Sequence, residues 1–275
     1  MQIDGNTKLI GFFGTTYKTS KMYAMYNAAI EAMGLNYIYV PFAVSDLEKA
    51  VAGIRNLGVT AIGITIPYKI DIMKYLDELD ANAKRIGAVS VVLNKDGKLI
   101  GGNTDGEGAL KALKEKTEIK NKKVVLLGSG GAARSIAFAL SDEGCHITIL
   151  NRTESNAKEL AAAVGDSIKY GGFDSLPEAL KDSEIVINTT PVGMANTSQE
   201  GQSIVPAKLL RSDVTVMDIV SKPRETKLLQ DASKRGCTLV YGYRMLLWQG
   251  VSKFAMYTDV EPPIEVMEEA MENIK

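Results

Sequence analysis

A glycine-rich turn between two apolar runs constrains the fold of this 275-residue chain more than any other feature. Residues 124–127 form an apolar run that stops at Gly128, a helical pattern follows, and residues 147–150 form a second apolar run. A strand, a glycine-rich turn, a helix and a second strand within about 30 residues are typical of the unit that binds dinucleotides. The pattern therefore predicts a nucleotide site, and a plain strand-to-helix turn is the alternative.

The residues of this turn have separate roles in holding a pyrophosphate. Gly128 permits the tight turn, Gly130 lets the backbone approach the phosphates, and Ala133 replaces the third glycine where the helix packs on the strand. Free N–H groups and the helix dipole favour a phosphate at the start of the helix. The expected binding residues are Gly128, Ser129, Gly130, Gly131 and Ala132.

The segment after the second apolar run bears on the choice of cofactor. NAD-binding proteins usually carry an acidic residue about 20 positions after the glycines, which binds the ribose 2′-hydroxyl. Here the segment reads Asn151-Arg152-Thr153, and Arg152 offers donors suited to a 2′-phosphate. The sequence predicts NADP as the cofactor, with NAD as a possible second one. Arg152 as a plain surface residue is the alternative.

Alternating strand and helix patterns predict an α/β protein of two domains. Strands at 9–13, 36–41 and 59–66 alternate with helices at 22–33 and 46–57, which indicates a parallel sheet. A charged helix is expected at about 70–85, and Asp96-Gly97 predicts a hairpin. We expect an N-terminal α/β substrate domain (1–106 with 242–275), a Rossmann-type NAD(P)-binding domain (107–241), and an active site in the cleft between them.

Composition excludes several classes of function. The net charge of -1 argues against a nucleic-acid partner or an anionic membrane surface. No apolar run approaches the roughly 18 residues of a membrane span, and no signal peptide is recognisable. Cys145 and Cys237 are expected to be reduced, buried thiols of a cytoplasmic protein. The single histidine, His146, argues against Ser-His-Asp chemistry and a His-rich metal site, so no metal is expected. A monomer or a homodimer is expected.

Lys69 and Asp105 both follow strand-like segments and could meet at the edge of a sheet. Each has a simple structural explanation by itself, Lys69 as a solvated lysine and Asp105 as a helix N-cap. Together, a lysine can donate a proton to a carbonyl oxygen while hydride reaches the carbon, and a carboxylate can hold the lysine in position.

Several stretches, in order and spacing, resemble the shikimate dehydrogenase / quinate dehydrogenase family over nearly the whole chain. Among them are GITIPYK (63–69), GGNTDGEG (101–108), LLGSGGAARS (126–135), INTTPVGM (187–194) and YGYRMLLWQG (241–250). The resemblance implies reversible reduction of 3-dehydroshikimate by NADPH, a step of aromatic amino acid biosynthesis, or oxidation of quinate with NAD. It implies that Lys69 and Asp105 are the catalytic pair. It places Ser20, Met22, Thr65, Ser90 and Gln249 at the substrate and Asn151, Arg152, Thr153, Thr190, Val220 and Gly242 at the cofactor.

The chain departs from the family pattern mainly at residues expected to bind the substrate. The family usually has serine, asparagine, asparagine and tyrosine where this chain has Met22, Gly63, Ser90 and Ser221. A net hydrogen bond contributes about 0.5–1.5 kcal/mol, so these changes predict altered or broadened substrate choice. Replacement hydroxyls could come from Tyr17, Thr19, Tyr23 or Tyr26. A non-catalytic nucleotide-binding regulator and a sugar- or phosphate-binding protein are the competing interpretations.

Overall fold

The chain folds into two compact units, which a computed structural model describes over residues 3–16 and 22–273. The first unit contains Met1–Thr104 and Gln249–Lys275, and the second contains Asp105–Trp248. Three residues named above, Tyr17, Thr19 and Ser20, lie outside the described residues. The domain limits at 106 and 241 and the site in the cleft stay predictions.

The sheet of the first unit combines a parallel half with a hairpin. Over the described residues its strands are Lys8–Gly14 (β1), Tyr37–Ala43 (β2), Ala61–Ile64 (β3), Glu78–Leu79 (β4), Val91–Lys95 (β5) and Lys98–Gly102 (β6), in the order β2-β1-β3-β5-β6-β4. Strands β1, β2 and β3 are parallel, as predicted, whereas β5 is antiparallel to β3 and β6. The hairpin at Asp96-Gly97 is confirmed, and both residues have positive φ, as a two-residue hairpin loop requires.

The sheet of the second unit is parallel throughout. Its described strands are Lys123–Leu127 (β7), His146–Leu150 (β8), Lys169–Gly171 (β9), Ile185–Asn188 (β10), Thr215–Asp218 (β11) and Thr238–Tyr241 (β12). They lie in the order β9-β8-β7-β10-β11-β12, which is the doubly wound order of dinucleotide-binding domains. Apolar clusters cover both faces, so β7 and β10 are almost wholly buried.

The helices of the described residues begin and end as follows: Met22–Ala32 (α1), Leu47–Asn56 (α2), Tyr68–Asp71 (α3), Ala81–Ile86 (α4), Asp105–Lys114 (α5), Gly131–Asp142 (α6), Glu154–Val164 (α7), Leu176–Ala179 (α8), Lys227–Lys234 (α9), Gly242–Thr258 (α10) and Ile264–Glu272 (α11). In the first unit, α11 packs against α1. Apolar side chains are buried on both helices, including Met25 and Ile30 on α1 and Met267 and Met271 on α11.

The predicted charged helix at 70–85 is wrong. The segment is divided into α3, a 3-10 turn at Ile72–Tyr75, β4 and α4. Two aspartates explain the division. Asp77 accepts hydrogen bonds from the N–H of Leu99 at 2.7 Å and from Arg55, which brings the chain beside β6. Asp80 accepts from the N–H of Ala83 at 2.6 Å and starts α4 as its N-cap.

Candidate active site

The strand order of the second unit reverses between β7 and β10. Strands β8 and β9 extend the sheet on one side of β7, and β10, β11 and β12 extend it on the other. In doubly wound sheets, ligands bind in the crevice outside the carboxyl ends of the strands at this point. The glycine-rich turn begins at Gly128, directly after β7. The turn predicted to bind phosphate therefore lies at the switch point of the sheet.

The backbone of this turn has the features of a phosphate-binding loop. Gly128 has φ 110°, and a Cβ atom there would lie 2.5 Å from Oγ1 of Thr189. Gly130 is the N-cap of α6, and a glycine provides no capping side chain. A Cβ at Gly130 or Gly131 would meet no heavy atom of the described residues within 4 Å. The space beside these two glycines at the start of α6 is therefore open, as close approach of a phosphate requires.

The segment after β8 presents basic side chains beside the turn. Asn151 closes a local turn by donating from Nδ2 to the carbonyl oxygen of Thr153 at 2.9 Å, and Thr153 is the N-cap of α7. Arg152 and Lys158 are exposed. Within residues 3–16 and 22–273, neither cation has a hydrogen bond or ion pair. Both can therefore bind a phosphate without breaking an existing interaction.

The remaining predicted cofactor residues follow β10, β11 and β12. Thr190 donates from its N–H and Oγ1 to Oδ1 of Asn188, at 3.0 and 2.7 Å. Val220 is buried and donates its N–H to Asp218 at 3.1 Å. Gly242 begins α10, where a Cβ would lie 2.5 Å from the carbonyl oxygen of Val220. Glycine at 242 is therefore required by the close approach of the backbone after β11.

Sequence analysis did not single out the two polar residues that hold these segments. Asn188 and Asp218 end adjacent strands, β10 and β11, and both are fully buried. Burial raises the pKa of Asp218 to about 6, although hydrogen bonds from Thr226, Val220 and Asn188 oppose the rise. The sequence signal that could have identified these two residues is an amide at the end of the run IVIN and a carboxylate at the end of the run TVMD.

In the first unit, the predicted residues gather at the carboxyl end of β3. Thr65 follows β3 directly, and the half-buried Lys69 lies on α3. The carbonyl oxygen of Lys69 accepts a hydrogen bond from the N–H of Val89 at 2.8 Å, which places Ser90 nearby. Ser90 is fully buried, and its Oγ accepts a hydrogen bond from the N–H of Thr104 at 3.0 Å. Its hydroxyl therefore already has a structural role.

Met22 and Gln249 are brought together by α1 and α10. Met22 is 5% exposed, and its sulfur lies 3.6 Å from the position of a Cβ at Gly250, the residue after the half-buried Gln249. Gly63 faces Tyr257, whose hydroxyl would lie 3.2 Å from a Cβ at that position. Met22 therefore contributes a buried thioether where the family pattern has a hydroxyl.

Of the tyrosines proposed as replacement donors, the two that lie in the described residues differ in exposure. Tyr26 is fully buried, with its ring centroid 4.5 Å from that of Tyr39 and 5.8 Å from that of Tyr257. Tyr26 therefore forms part of the core and is a poor donor for a ligand. Tyr23 is 39% exposed and stays a candidate.

Asp105 begins α5 in the second unit and is 1% exposed. The pairing of this carboxylate with Lys69 stays a prediction. No group of three or more His, Cys, Asp or Glu residues able to hold a metal ion occurs in the part of the chain that the structure describes. Nor does any described helix have the length and apolar character needed to cross a membrane.

Three models of known protein families match successive segments of the chain. Residues 12–92 match the shikimate dehydrogenase substrate binding domain, residues 110–232 match shikimate / quinate 5-dehydrogenase, and residues 242–272 match the shikimate 5'-dehydrogenase C-terminal domain. The chain belongs to the shikimate dehydrogenase family.

Relatives within and around the shikimate dehydrogenase family are similar over nearly their full length. The NADP(+) shikimate dehydrogenase of Methanobrevibacter smithii is 43% identical over 98% of both chains. The crystal structure of a shikimate dehydrogenase in complex with NADP+ is 42% identical, covers 99% of this chain and 97% of its own, and has a TM-score of 0.92. The 5-ketofructose reductase of Gluconobacter sp. strain CHM43 is 32% identical, covers 99% and 100%, and has a TM-score of 0.88.

Proposed function

We propose that the chain catalyses the NADP-dependent, reversible reduction of 3-dehydroshikimate to shikimate in the biosynthesis of aromatic amino acids. The observation that carries the proposal is the glycine-rich turn at the switch point, with an unengaged Arg152 after the next strand. The 43% identity to an NADP(+) shikimate dehydrogenase supports it. NAD is a possible second cofactor.

The cofactor, when bound, supplies the hydride for the reduction. The residues at 128–132 hold its pyrophosphate through backbone N–H groups. Asn151, Arg152 and Thr153 hold the adenosine 2′-phosphate, where the guanidinium forms charge-assisted hydrogen bonds. The nicotinamide half is held by Thr190, Val220 and Gly242.

Lys69 and Asp105 provide the acid–base chemistry. The Lys69 ammonium donates a proton to the carbonyl oxygen of the substrate as that oxygen gains negative charge. The Asp105 carboxylate orients the ammonium towards that oxygen. Ser20, Thr65 and Gln249 contact the substrate, and Met22 and Ser90 take the places of polar family residues beside it.

The cofactor assignment is tested by comparing NADPH and NADH in wild type and Arg152→Gln. Loss of a charge-assisted contact costs about 1.5–3 kcal/mol, so kcat/KM for NADPH should fall about 10- to 150-fold while that for NADH stays unchanged. Lys208→Gln, which removes an exposed cation before β11, controls for net charge. Equal losses with both cofactors would refute the role of Arg152.

The catalytic assignment is tested with Lys69→Ala. This variant should lose most of kcat, by about 100-fold or more, and still bind NADPH with the wild-type Kd. Fluorescence titration of NADPH and stopped-flow turnover measure the two quantities separately. An unchanged kcat would reject the role of Lys69. Absence of turnover by wild type with intact NADPH binding would instead favour a nucleotide-binding regulator.

A second candidate substrate is favoured by the four departures from the family pattern. Met22 and Ser90 are buried, Gly63 offers no side chain, and Ser221 is exposed after β11. The similarity to a 5-ketofructose reductase is consistent with reduction of a different polyhydroxylated ketone on this fold. Reduction of 3-dehydroshikimate, 3-dehydroquinate and 5-ketofructose with NADPH should be compared. The highest kcat/KM for 3-dehydroshikimate would reject this second candidate.

A cytoplasmic location is proposed because Cys145 and Cys237 are both free and buried, as is usual for proteins of reducing compartments. The proposed assembly is a monomer or a homodimer with a small-molecule substrate. Light scattering after size-exclusion chromatography distinguishes the two assemblies.

A further inference from the structure

A buried polar cluster lies at the carboxyl ends of β10 and β11, and the proposed reaction leaves it without a role. It consists of Asn188, Asp218 and Thr226, each with 0% exposure. Burying a carboxylate in a protein core costs free energy unless its oxygens are hydrogen-bonded. A carboxylate at this place therefore needs an explanation beyond packing.

Both oxygens of Asp218 are engaged. Oδ1 accepts hydrogen bonds from Nδ2 of Asn188 at 3.0 Å and from the N–H of Val220 at 3.1 Å. Oδ2 accepts one from Oγ1 of Thr226 at 2.6 Å. Thr226 is also the N-cap of α9, where its Oγ1 accepts from the N–H of Leu229. One carboxylate thus connects β10, the loop after β11 and the start of α9.

The carboxylate determines the orientation of the neighbouring amide and hydroxyl. An ionised carboxylate can only accept, so the amide of Asn188 must turn its NH2 group towards Asp218. The amide oxygen then faces Thr190 and accepts from its N–H and its Oγ1, at 3.0 and 2.7 Å. The hydroxyl of Thr190 in turn accepts from the N–H of Val192 at 3.3 Å. The donor and acceptor directions of the loop after β10 therefore follow from the charge at Asp218.

The same carboxylate determines the backbone after β11. Its bond to the N–H of Val220 holds the chain where the carbonyl oxygens of Ile219 and Val220 approach Gly242, within 2.6 Å of a Cβ at that glycine. Thr190, Val220 and Gly242 are the residues assigned to the nicotinamide half of the cofactor. All three are linked to Asp218 through one intermediate group at most.

We propose that Asp218 is a positioning residue that, through Asn188 and Val220, places the groups binding the nicotinamide half of NADP. This inference rests on the proposed function. It separates the two halves of the cofactor, because the adenosine 2′-phosphate is assigned to Arg152, which follows β8, and the pyrophosphate to Gly128–Ala132, which follow β7. Loss of the cluster should weaken binding of the nicotinamide half and leave binding of the adenosine half unchanged.

Isosteric variants test this separation. Thr226→Val removes the hydroxyl that binds Oδ2, and Asp218→Asn removes the charge that orients Asn188. Thr215→Val is the matched control, because Thr215 is 5% exposed but lies at the opposite, amino-terminal end of β11. Thr226→Ser keeps the hydroxyl and should restore wild-type behaviour. Thermal unfolding establishes that each variant is folded at the assay temperature.

The probes are NADPH and adenosine 2′,5′-bisphosphate, which lacks the nicotinamide half. Thr226→Val and Asp218→Asn should each raise the Kd for NADPH about tenfold and lower kcat, with the Kd for the bisphosphate within about twofold of wild type. The control and Thr226→Ser should match wild type with both probes. Equal weakening of both probes, or no change relative to Thr215→Val, would overturn the proposal. Failure of wild type to bind NADPH at all would instead overturn the proposed function.

Discussion

Replacement of Asp218 by asparagine should remove a contribution to stability that decreases as the pH rises. Most acidic residues instead contribute stability that increases with pH, because their pKa values are lowered in the folded state. Burial raises the pKa of Asp218 from 3.8 to about 6 in the folded protein. The folded state therefore binds more protons than the unfolded state between these values, and stability falls as pH rises through this window. The full pKa difference corresponds to about 3 kcal/mol of stability, and about 1–1.5 kcal/mol of this is lost between pH 5 and pH 8.

Urea unfolding of wild type and Asp218→Asn at pH 5, 6, 7 and 8 measures this contribution. Surface carboxylates with lowered pKa values, such as Asp77 and Asp213, are common to both proteins and cancel in the difference. The free energy of unfolding of Asp218→Asn, relative to wild type, should rise by about 1–1.5 kcal/mol from pH 5 to pH 8. If the difference in the free energy of unfolding between the two proteins is constant or falls with pH, the raised pKa of Asp218 in the folded protein is refuted.

Two further substitutions have expected outcomes. Gly128 has φ 110°, and the new Cβ of Gly128→Ala would lie 2.5 Å from Thr189 Oγ1. The substitution should therefore destabilise the protein by about 1–3 kcal/mol and weaken NADPH binding. Chemical unfolding and NADPH titration measure the two effects, and wild-type values would show that the turn tolerates a side chain. Tyr257→Phe removes a buried hydroxyl that has no hydrogen-bond partner among the described residues, so the free energy of unfolding should rise by about 1 kcal/mol. A lower melting temperature of this variant would show that the hydroxyl has a partner.

The parts of the fold predicted well are those determined by local pattern. The strand, glycine turn and helix around Gly128 have a short-range signature, and the structure has each element in place. The hairpin at Asp96-Gly97 is determined by two adjacent residues that adopt positive φ. Such features depend on neighbours in sequence, so sequence patterns are sufficient to find them.

The parts missed depend on partners that are distant in the chain. The charged segment at 70–85 has helical spacing, but Asp77 binds Arg55 and the N–H of Leu99, and these contacts outweigh local propensity. Asp218 has the same explanation, since its partners at 188, 220 and 226 meet only after the sheet forms. The resemblance to the family predicts that Ser90 lies at the substrate, whereas its hydrogen bond to Thr104 is visible only in the structure.

The interrupted first unit has a consequence for the order of folding. Asp105–Trp248 is continuous, so the second unit has all of its strands once that stretch has been synthesised. The first unit is completed later, because α11, which packs on α1, follows the whole second unit in the sequence. Until then α1 lacks the partner helix α11, and apolar surface left exposed in this way promotes association with other chains. Closing this long loop is expected to be among the slow steps of folding.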